Sequence, residues 1–101
     1  MCGLMYNIVL TRQAIKDAHK LEQLGLKPKT ADILKIIKQN PFQNPPHYEK
    51  LKGYEDTYSR RINIQHRLVY QVLPNENNEN DTDGNPYQGI IKIIRMWSHY
   101  E

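Results

Sequence analysis

The sequence predicts an α+β domain in which two N-terminal helices pack on one face of a mostly antiparallel, twisted sheet, in the order β-α-α-β-β-β. Apolar residues recur at helical spacing between residues 11 and 40. From Tyr58 onward they alternate with a period of two, which is typical of strands. The 101 residues have the length of one domain, so residues 1–101 are expected to share a single core.

The N-terminal part predicts a strand followed by a capped helix. The strand is expected at Met5–Leu10, and Thr11 can cap a helix over residues 12–24. Gly25 is placed to end this helix, with Leu26 making the hydrophobic contact of a C-cap motif. The apolar residues at helical spacing, which predict the buried stripe, are Ala14, Ile15, Ala18, Leu21 and Leu24.

A second helix is predicted over residues 28–40, because Pro28 suits a first helical turn. The step from Asn40 to Pro41 should end it, since the residue before proline avoids helical geometry. Residues 41–53 are then a proline-rich connection with little conformational freedom. The predicted buried stripe of this helix is Ile33, Leu34 and Ile37.

The C-terminal half predicts three strands. Tyr58–Ile64 and Arg67–Leu73 are separated by Gln65 and His66 alone, which predicts an antiparallel hairpin turning near those two residues. The last strand is expected over Gln88–Tyr100.

An acidic connection of about residues 74–89 separates the last two predicted strands. It is rich in asparagine, carries four acidic and no basic residues, and is expected to be a mobile loop. The net charge is +3, and without those four negative charges the rest of the chain carries +7. Such a basic body favours a polyanion such as nucleic acid, although an ordinary basic surface fits the charge equally well.

Several classes of protein and site are disfavoured. No apolar run approaches the ~20 residues of a membrane helix, and the first residues lack the features of a signal peptide. The single cysteine, Cys2, allows no internal disulfide framework and suits a reducing compartment, so a cytoplasmic protein is expected. No histidine spacing builds a zinc site, and no glycine-rich phosphate loop is present, so neither metal nor cofactor is expected.

Polar residues that could carry out chemistry concentrate in the C-terminal half. RNA supplies its own nucleophile, the 2′-hydroxyl, so a protein that cleaves it needs only a base, a cation for the phosphorane and an acid. A glutamate, an arginine and a histidine would suffice, although a surface ion pair and a protected sheet edge explain the same residues. The candidates are Glu49, Lys50, Lys52, Arg60, Arg61, His66, Arg67, Arg95, His99 and Tyr100.

Three segments together resemble the Txe/YoeB toxins of the RelE-like superfamily: EKLKG, YSRRINIQHRLVYQV and the terminal RMWSHYE. The resemblance implies the toxin of a type II toxin–antitoxin system. It also implies a ribosome-dependent, metal-independent mRNA endonuclease that acts on mRNA in the ribosomal A site. A YefM/Axe-type antitoxin is the implied inhibitor, and whether the free protein forms a homodimer stays open.

The resemblance also implies roles for individual residues. Glu49 matches the base, Arg67 the arginine that contacts the phosphate, His99 the acid and Tyr100 the final tyrosine of the family. The residues expected to bind RNA are Lys52, Arg60 and Arg61. The long acidic connection and the additional Glu101 depart from the family pattern, and the connection is expected to lie away from the RNA.

Two alternatives remain at the level of sequence. The first is a non-catalytic module of the same fold that binds RNA, the ribosome or an antitoxin. The joint presence of Glu49, Arg67 and His99 disfavours it. The second is a DNA-binding repressor, which the absence of helix-turn-helix geometry disfavours. Codon preference and toxin-to-antitoxin stoichiometry cannot be predicted from the sequence.

Overall fold

Two helices and five strands make up the part of the chain, residues 5–96, that a computed structural model describes. The predicted α+β class, with two helices on a mostly antiparallel sheet, is confirmed. A short strand within the proline-rich connection, Tyr48–Lys50, is not among the predicted elements. In chain order the elements are β1 (Tyr6–Leu10), α1 (Arg12–Gln23), α2 (Lys27–Gln39), β2 (Tyr48–Lys50), β3 (Thr57–Arg61), β4 (Arg67–Leu73) and β5 (Gly89–Arg95).

The strands lie in the order β1-β5-β4-β3-β2 across the sheet. β1 and β5 are parallel, whereas the other neighbouring pairs are antiparallel. The first and last strands are therefore neighbours, and the start of α1 lies beside the end of β5. There the Thr11 N–H donates to the carbonyl oxygen of Ile93 at 3.1 Å.

Both predicted caps of α1 are confirmed. The Thr11 hydroxyl accepts a hydrogen bond from the N–H of Ala14 at 3.1 Å and satisfies one of the free donors of the first turn. At the other end Gly25 has a φ of +77°, in the left-handed region that favours glycine. The Leu26 N–H donates back to the carbonyl of Leu21 at 2.9 Å, which completes the predicted C-cap motif.

The buried face of α1 differs in part from the prediction. Ala14 and Leu21 are buried as predicted, but Ile15 is 47% exposed and Leu24 is 56% exposed. Asp17, at 0% exposure, occupies the centre of the buried face instead. The prediction for Ile15 and Leu24 is wrong because the helix is rotated to bring this carboxylate to donors on β5.

The second helix follows the prediction closely. Pro28 lies in its first turn, and Asn40 leaves the helix with an extended φ of −154°. Ile33 and Ile37 are buried, and Leu34 packs at the margin of the core.

The hydrophobic core lies between the helices and one face of the sheet. Alternate residues of the central strands enter it, as the pleat of a strand requires. Its buried members from β4, β5 and the flanking turns are Ile62, Leu68, Tyr70, Ile91, Ile93 and Met96. The opposite face of β2, β3 and β4 is therefore free to carry polar residues.

The hairpin between β3 and β4 turns where predicted, but its first strand is shorter. β3 ends at Arg61, so the predicted extension to Ile64 is wrong, and Ile64 is 89% exposed. The Asn63 side chain accepts from the N–H groups of Gln65 and His66 at 2.9 and 2.7 Å. This local bonding competes with the ladder and ends the strand.

The acidic connection has hydrogen bonds of its own. The Asp81 carboxylate accepts from the N–H groups of Asp83 and Asn85, both at 2.9 Å, and the Asn75 amide donates to the Glu79 carbonyl at 2.9 Å. Its predicted mobility stays a prediction. The connection follows the end of β4, whose seven residues span about 20 Å. It therefore lies at the end of β4 opposite to the basic start of that strand.

β5 is paired as far as Arg95, and the described chain ends at Met96. The predicted continuation of this strand to Tyr100 lies mostly outside the described residues. Within residues 5–96, neither helix has the length and apolar character needed to cross a membrane.

Candidate functional site

Glu49 and Arg67 lie together on the face of the sheet opposite the hydrophobic core. Their strands, β2 and β4, flank β3, and the antiparallel register places Glu49 opposite Ser59. The Oε1 atom of Glu49 is 3.7 Å from the Nη1 atom of Arg67. The two predicted catalytic residues within the described chain are therefore neighbours, and β2 is the element that brings them together.

Two further side chains border this pair. Nη1 of Arg67 donates to the Oγ atom of Ser59 at 3.5 Å, and Ser59 is only 2% exposed between the flanking strands. Nε2 of His47 lies 3.7 Å from Oε1 of Glu49. Neither Ser59 nor His47 is among the predicted site residues. The period-two alternation of β3 could have placed Ser59 on this face, but nothing in the proline-rich segment marked His47.

The contact between Glu49 and Arg67 is loose and accessible. Their side chains are 51% and 33% exposed, and ion pairs of this kind contribute at most about 1 kcal/mol. An accessible carboxylate can accept a proton, and an accessible guanidinium can donate a fork of hydrogen bonds to phosphate oxygens. Arg67 can therefore exchange its contact with Glu49 for contacts with phosphate oxygens.

Arg60 lies inside the protein, at 1% exposure. Its guanidinium donates to three main-chain carbonyls of the proline-rich loop, to the Tyr70 hydroxyl at 3.1 Å, and stacks 5.0 Å from the centre of the Tyr48 ring. The carbonyls are those of Pro46 at 2.7 Å, Gln43 at 2.8 Å and Pro41 at 3.1 Å. This placement leaves Arg60 no accessible surface for RNA, contrary to its predicted RNA-binding role.

The buried Arg60 instead fixes the loop that leads into β2. Tyr70 acts with it, because the Tyr70 hydroxyl donates to the carbonyl of Pro41 at 2.7 Å. Burial raises the pKa of the Tyr70 phenol, although the neighbouring guanidinium acts in the opposite direction. Glu49 follows this loop directly, so the position of its carboxylate depends on the Arg60 contacts.

The other predicted basic residues differ in accessibility. Arg61 is exposed at the end of β3, where its Cα pairs with that of Arg67. Lys52 is exposed in the turn after β2. His66, by contrast, is buried in the turn before β4. Arg61 therefore adds positive charge beside Arg67, Lys52 adds an accessible cation in the turn after β2, and His66 is not accessible.

Arg95, another of the polar candidates, contacts Asp17 of α1. Its Nε atom donates to the Asp17 carboxylate at 2.8 Å. Arg95 also stands opposite Val69 in the β4–β5 pair, two positions from Arg67. The described chain therefore ends close to the strand that carries Arg67. The predicted acid His99 and the terminal Tyr100 lie outside the described residues.

The described residues offer no obvious place for a metal ion. Within residues 5–96, no group of three or more His, Cys, Asp or Glu side chains is arranged to bind one.

Comparison with known proteins places the chain in a family. A sequence profile described as a YoeB-like toxin of the bacterial type II toxin-antitoxin system matches residues 11–100. The chain belongs to this YoeB-like family. It is therefore a toxin of a type II toxin–antitoxin system, and the resemblance noted in the sequence is confirmed. No significant match was found among curated proteins.

Solved structures agree with the family. A YoeB/ParE toxin from Agrobacterium tumefaciens has a TM-score of 0.71 and 25% identity, covering 93% of this chain and 99% of that one. A YoeB dimer from Staphylococcus aureus has a TM-score of 0.68 and 33% identity, covering 94% and 98%. The corresponding chain in a S. aureus YoeB–YefM complex has a TM-score of 0.66 at the same identity and coverage.

A more distant structure shows how widely the fold extends. A chain of the E. coli DinJ–YafQ toxin–antitoxin complex has a TM-score of 0.64 at 18% identity, covering 93% of this chain and 92% of that one. At this identity the likeness concerns the fold alone. The fold of this chain is thus similar to that of a chain in the DinJ–YafQ complex as well as to the YoeB structures.

Proposed function

We propose that this toxin is a cytoplasmic, ribosome-dependent mRNA endonuclease that cleaves mRNA in the A site. The observation that carries the proposal is the accessible pair of Glu49 and Arg67, whose side-chain atoms approach to 3.7 Å on the polar face of the sheet. A base and a phosphate-binding cation are two of the three groups that cleavage by the 2′-hydroxyl needs. Membership of the YoeB-like family supports the same reaction class.

The mechanism begins at the 2′-hydroxyl next to the scissile phosphate. Glu49 takes its proton as the 2′-oxygen bonds to phosphorus, and Arg67 stabilises the charge on the phosphorane. The bond from phosphorus to the 5′-oxygen then breaks, and His99 gives its proton to the leaving oxygen. The products are a 2′,3′-cyclic phosphate and a 5′-hydroxyl, and no metal is needed to balance the reaction.

His99 and Tyr100 enter the proposal from the sequence pattern and from the reach of the chain. They follow Met96 by three and four residues, a span of at most about 10 to 14 Å. β5 ends beside the strand of Arg67, so this reach is sufficient to bring an imidazole to the same phosphate. Tyr100 is assigned to packing against or orienting the RNA.

Binding of the substrate is assigned to the basic residues around the pair. Lys52 and Arg61 are exposed and would contact phosphates of the mRNA or the ribosome. Arg60 has no part in this contact because it is buried. The acidic connection follows the end of β4, about 20 Å from Arg67, so it does not repel a phosphate bound to Arg67.

An antitoxin is the expected inhibitor. A S. aureus relative is known in a YoeB–YefM complex and as a YoeB dimer. By analogy we assign this toxin a YefM/Axe-type partner that covers the polar face of the sheet, and a homodimer as the expected free form. An acidic partner would complement the +7 carried outside the acidic connection.

The test uses purified toxin and ribosomes programmed with a defined mRNA. Cleavage in the A site should leave a 2′,3′-cyclic or 3′-phosphate on the upstream fragment, and a 2′-O-methyl or 2′-deoxy nucleotide at the cut site should abolish it. If the modified message is still cut, water is the nucleophile and the mechanism is wrong. Ribosome binding without any cut would support the non-catalytic binding module instead.

A further inference from the structure

Asp17 is a buried carboxylate to which the proposed reaction assigns no part. It has 0% exposure and lies in the middle of α1. The carboxylate accepts from Nε of Arg95 at 2.8 Å, from the N–H of Met96 at 3.0 Å and from the Gln13 amide at 3.0 Å. A buried charge is tolerated only when it is paired in this way, and two of its donors belong to the last described residues of the chain.

Thr11, the N-cap residue of the same helix, also bonds the end of β5. The Thr11 N–H donates to the carbonyl of Ile93 at 3.1 Å, and its hydroxyl donates to the carbonyl of Ile94 at 2.9 Å. Together with the Asp17 contacts, α1 and its cap bond three main-chain positions at the end of β5: Ile93 and Ile94 in the strand and Met96 directly after it.

The end of β5 needs such support because its register is irregular. Tyr70 is paired with Ile93 but Val69 with Arg95, so Ile94 is an extra residue on the β5 side. A bulge of this kind bends a strand and changes the faces to which later side chains point. A shift by one residue would turn every following side chain to the opposite face of the sheet. The contacts from Thr11 and Asp17 lie on both sides of this bulge.

We propose that Asp17 is a positioning residue that fixes the bulged end of β5, from which the chain continues to the proposed acid His99. The consequence for cleavage rests on the proposed function, whereas the effect on the end of β5 does not. Asp17 acts through the main chain and touches neither substrate nor catalytic group. Its replacement should lower kcat on programmed ribosomes and leave KM for the ribosome unchanged.

The chain provides its own fluorescent probe next to the end of β5. Trp97 is the sole tryptophan in the sequence and directly follows Met96. In Asp17→Asn, which keeps the size of the side chain but removes its charge, we expect a shifted Trp97 emission maximum and a change in acrylamide quenching. The same variant should cleave about 10- to 100-fold more slowly at saturating ribosomes, because small displacements of a catalytic group cost up to about 10²-fold.

Two controls separate position from stability and charge. Asp32→Asn makes the same change of charge at an exposed site on α2. Thr30→Val removes a buried hydroxyl whose hydrogen bond, to the carbonyl of Leu26 at 2.8 Å, is local to the start of α2. Both should keep the wild-type Trp97 signal and kcat. If Thr30→Val lowers kcat as much as Asp17→Asn at equal loss of thermal stability, the positioning role is overturned.

Arg95→Gln disrupts the same junction from its partly exposed side and replaces Asp17→Asn if that variant does not fold. A folded variant with an unchanged Trp97 signal, or a changed signal with full kcat, overturns the inference. A changed Trp97 signal in a protein whose wild type cuts no message would leave the effect on position intact and refute the proposed function. The two failures are therefore distinguishable.

Discussion

Arg67 has an accessible guanidinium and only a weak contact with Glu49. Substitution of Arg67 should therefore affect cleavage strongly and stability little. We expect Arg67→Ala to lower cleavage by about 10²- to 10³-fold, because it removes a charge contact made at the transition state. The free energy of unfolding should change by no more than about 1 kcal/mol, since its pair with Glu49 is exposed and 3.7 Å long. Single-turnover cleavage and urea denaturation measure the two effects.

The control for this prediction is Arg67→Lys, which keeps the charge but loses the forked donors. It should retain more activity than Arg67→Ala and less than the wild type. Full activity of Arg67→Ala on programmed ribosomes would remove Arg67 from the mechanism.

Arg60 and Arg61 are adjacent in sequence, but substitutions at the two positions should have opposite effects on stability. Arg60→Met leaves loop carbonyls and the Tyr70 hydroxyl without their buried donor and should cost about 3 to 5 kcal/mol of unfolding free energy. Arg61→Met changes an exposed side chain and should stay within about 0.5 kcal/mol. Urea denaturation of the two variants is the measurement. Equal stability of both would contradict the assigned structural role of Arg60.

At the scale of elements, the stability contributed by the junction of α1 and β5 should depend on pH. Burial raises the pKa of Asp17, but hydrogen bonds from Arg95, Met96 and Gln13 outweigh it, so the pKa lies below the ordinary 3.8. A lowered folded pKa stabilises the fold above pH 3.8, and this stabilisation is lost as the pH falls toward the folded value.

Asp17→Asn should therefore lose stability at neutral pH, and its difference from wild type should shrink as the pH falls below about 3.8. Denaturation with urea between pH 7 and pH 3 tests this. A difference that stays constant over the whole range would show that the charge of Asp17 contributes nothing. Asp32→Asn serves as the exposed control, with an expected change within about 0.5 kcal/mol at pH 7.

The acidic connection is the element expected to tolerate the largest change. Replacing residues 75–85 by a tight turn should leave cleavage intact and change the unfolding free energy by less than about 1 kcal/mol, because its contacts with the body, such as Asn7 to Glu79 at 3.1 Å, are exposed. Gly89 must be kept, since a Cβ there would lie 2.7 Å from the carbonyl oxygen of Leu73. Thermal denaturation and the cleavage assay decide the matter. A larger loss of stability would show that the connection packs on the body.

At the scale of the whole molecule, charge is divided between a basic body and an acidic connection. The net charge is +3, with +7 outside the four acidic side chains of the connection. An acidic antitoxin that covers Glu49 and Arg67 should protect this face from solvent. We expect co-purification of the two proteins, with slower hydrogen exchange in β2 and at the start of β4.

The acidic connection is the internal control for that experiment. Exchange in the acidic connection should not slow on binding, because an acidic partner has no electrostatic attraction to it. Slower exchange confined to the connection, with unchanged exchange in β2, would place the antitoxin elsewhere and refute inhibition by occlusion.

The sequence predicted the elements whose signals are local. Thr11 and Gly25 mark the two ends of α1, and both were predictable because capping depends on neighbouring main-chain groups. The boundaries of β4 agree with the prediction residue for residue, since an alternating run between turn residues needs no distant information. β2 was missed because three residues after a run of prolines carry too short a pattern.

The candidate site was predictable for a different reason. Glu49 and Arg67 belong to a motif whose residues are recognisable by resemblance, and the structure brings them to 3.7 Å. Alternation already placed Arg60 on the same face as Ile62, which is the apolar face. Alternation therefore contains a signal against an RNA-binding role for Arg60, a signal that its positive charge masked in the prediction.

The burial of Asp17 and Arg60 depended on partners that no local pattern reveals. Arg60 is buried because carbonyls 14 to 19 residues away surround it, and Asp17 because Arg95, 78 residues away, provides its donor. A charged group enters a protein interior only when groups of opposite polarity meet it there. The local sequence pattern predicts where helices and strands begin. The contacts of Arg60 and Asp17 form only when the sheet has assembled and β5 lies beside α1.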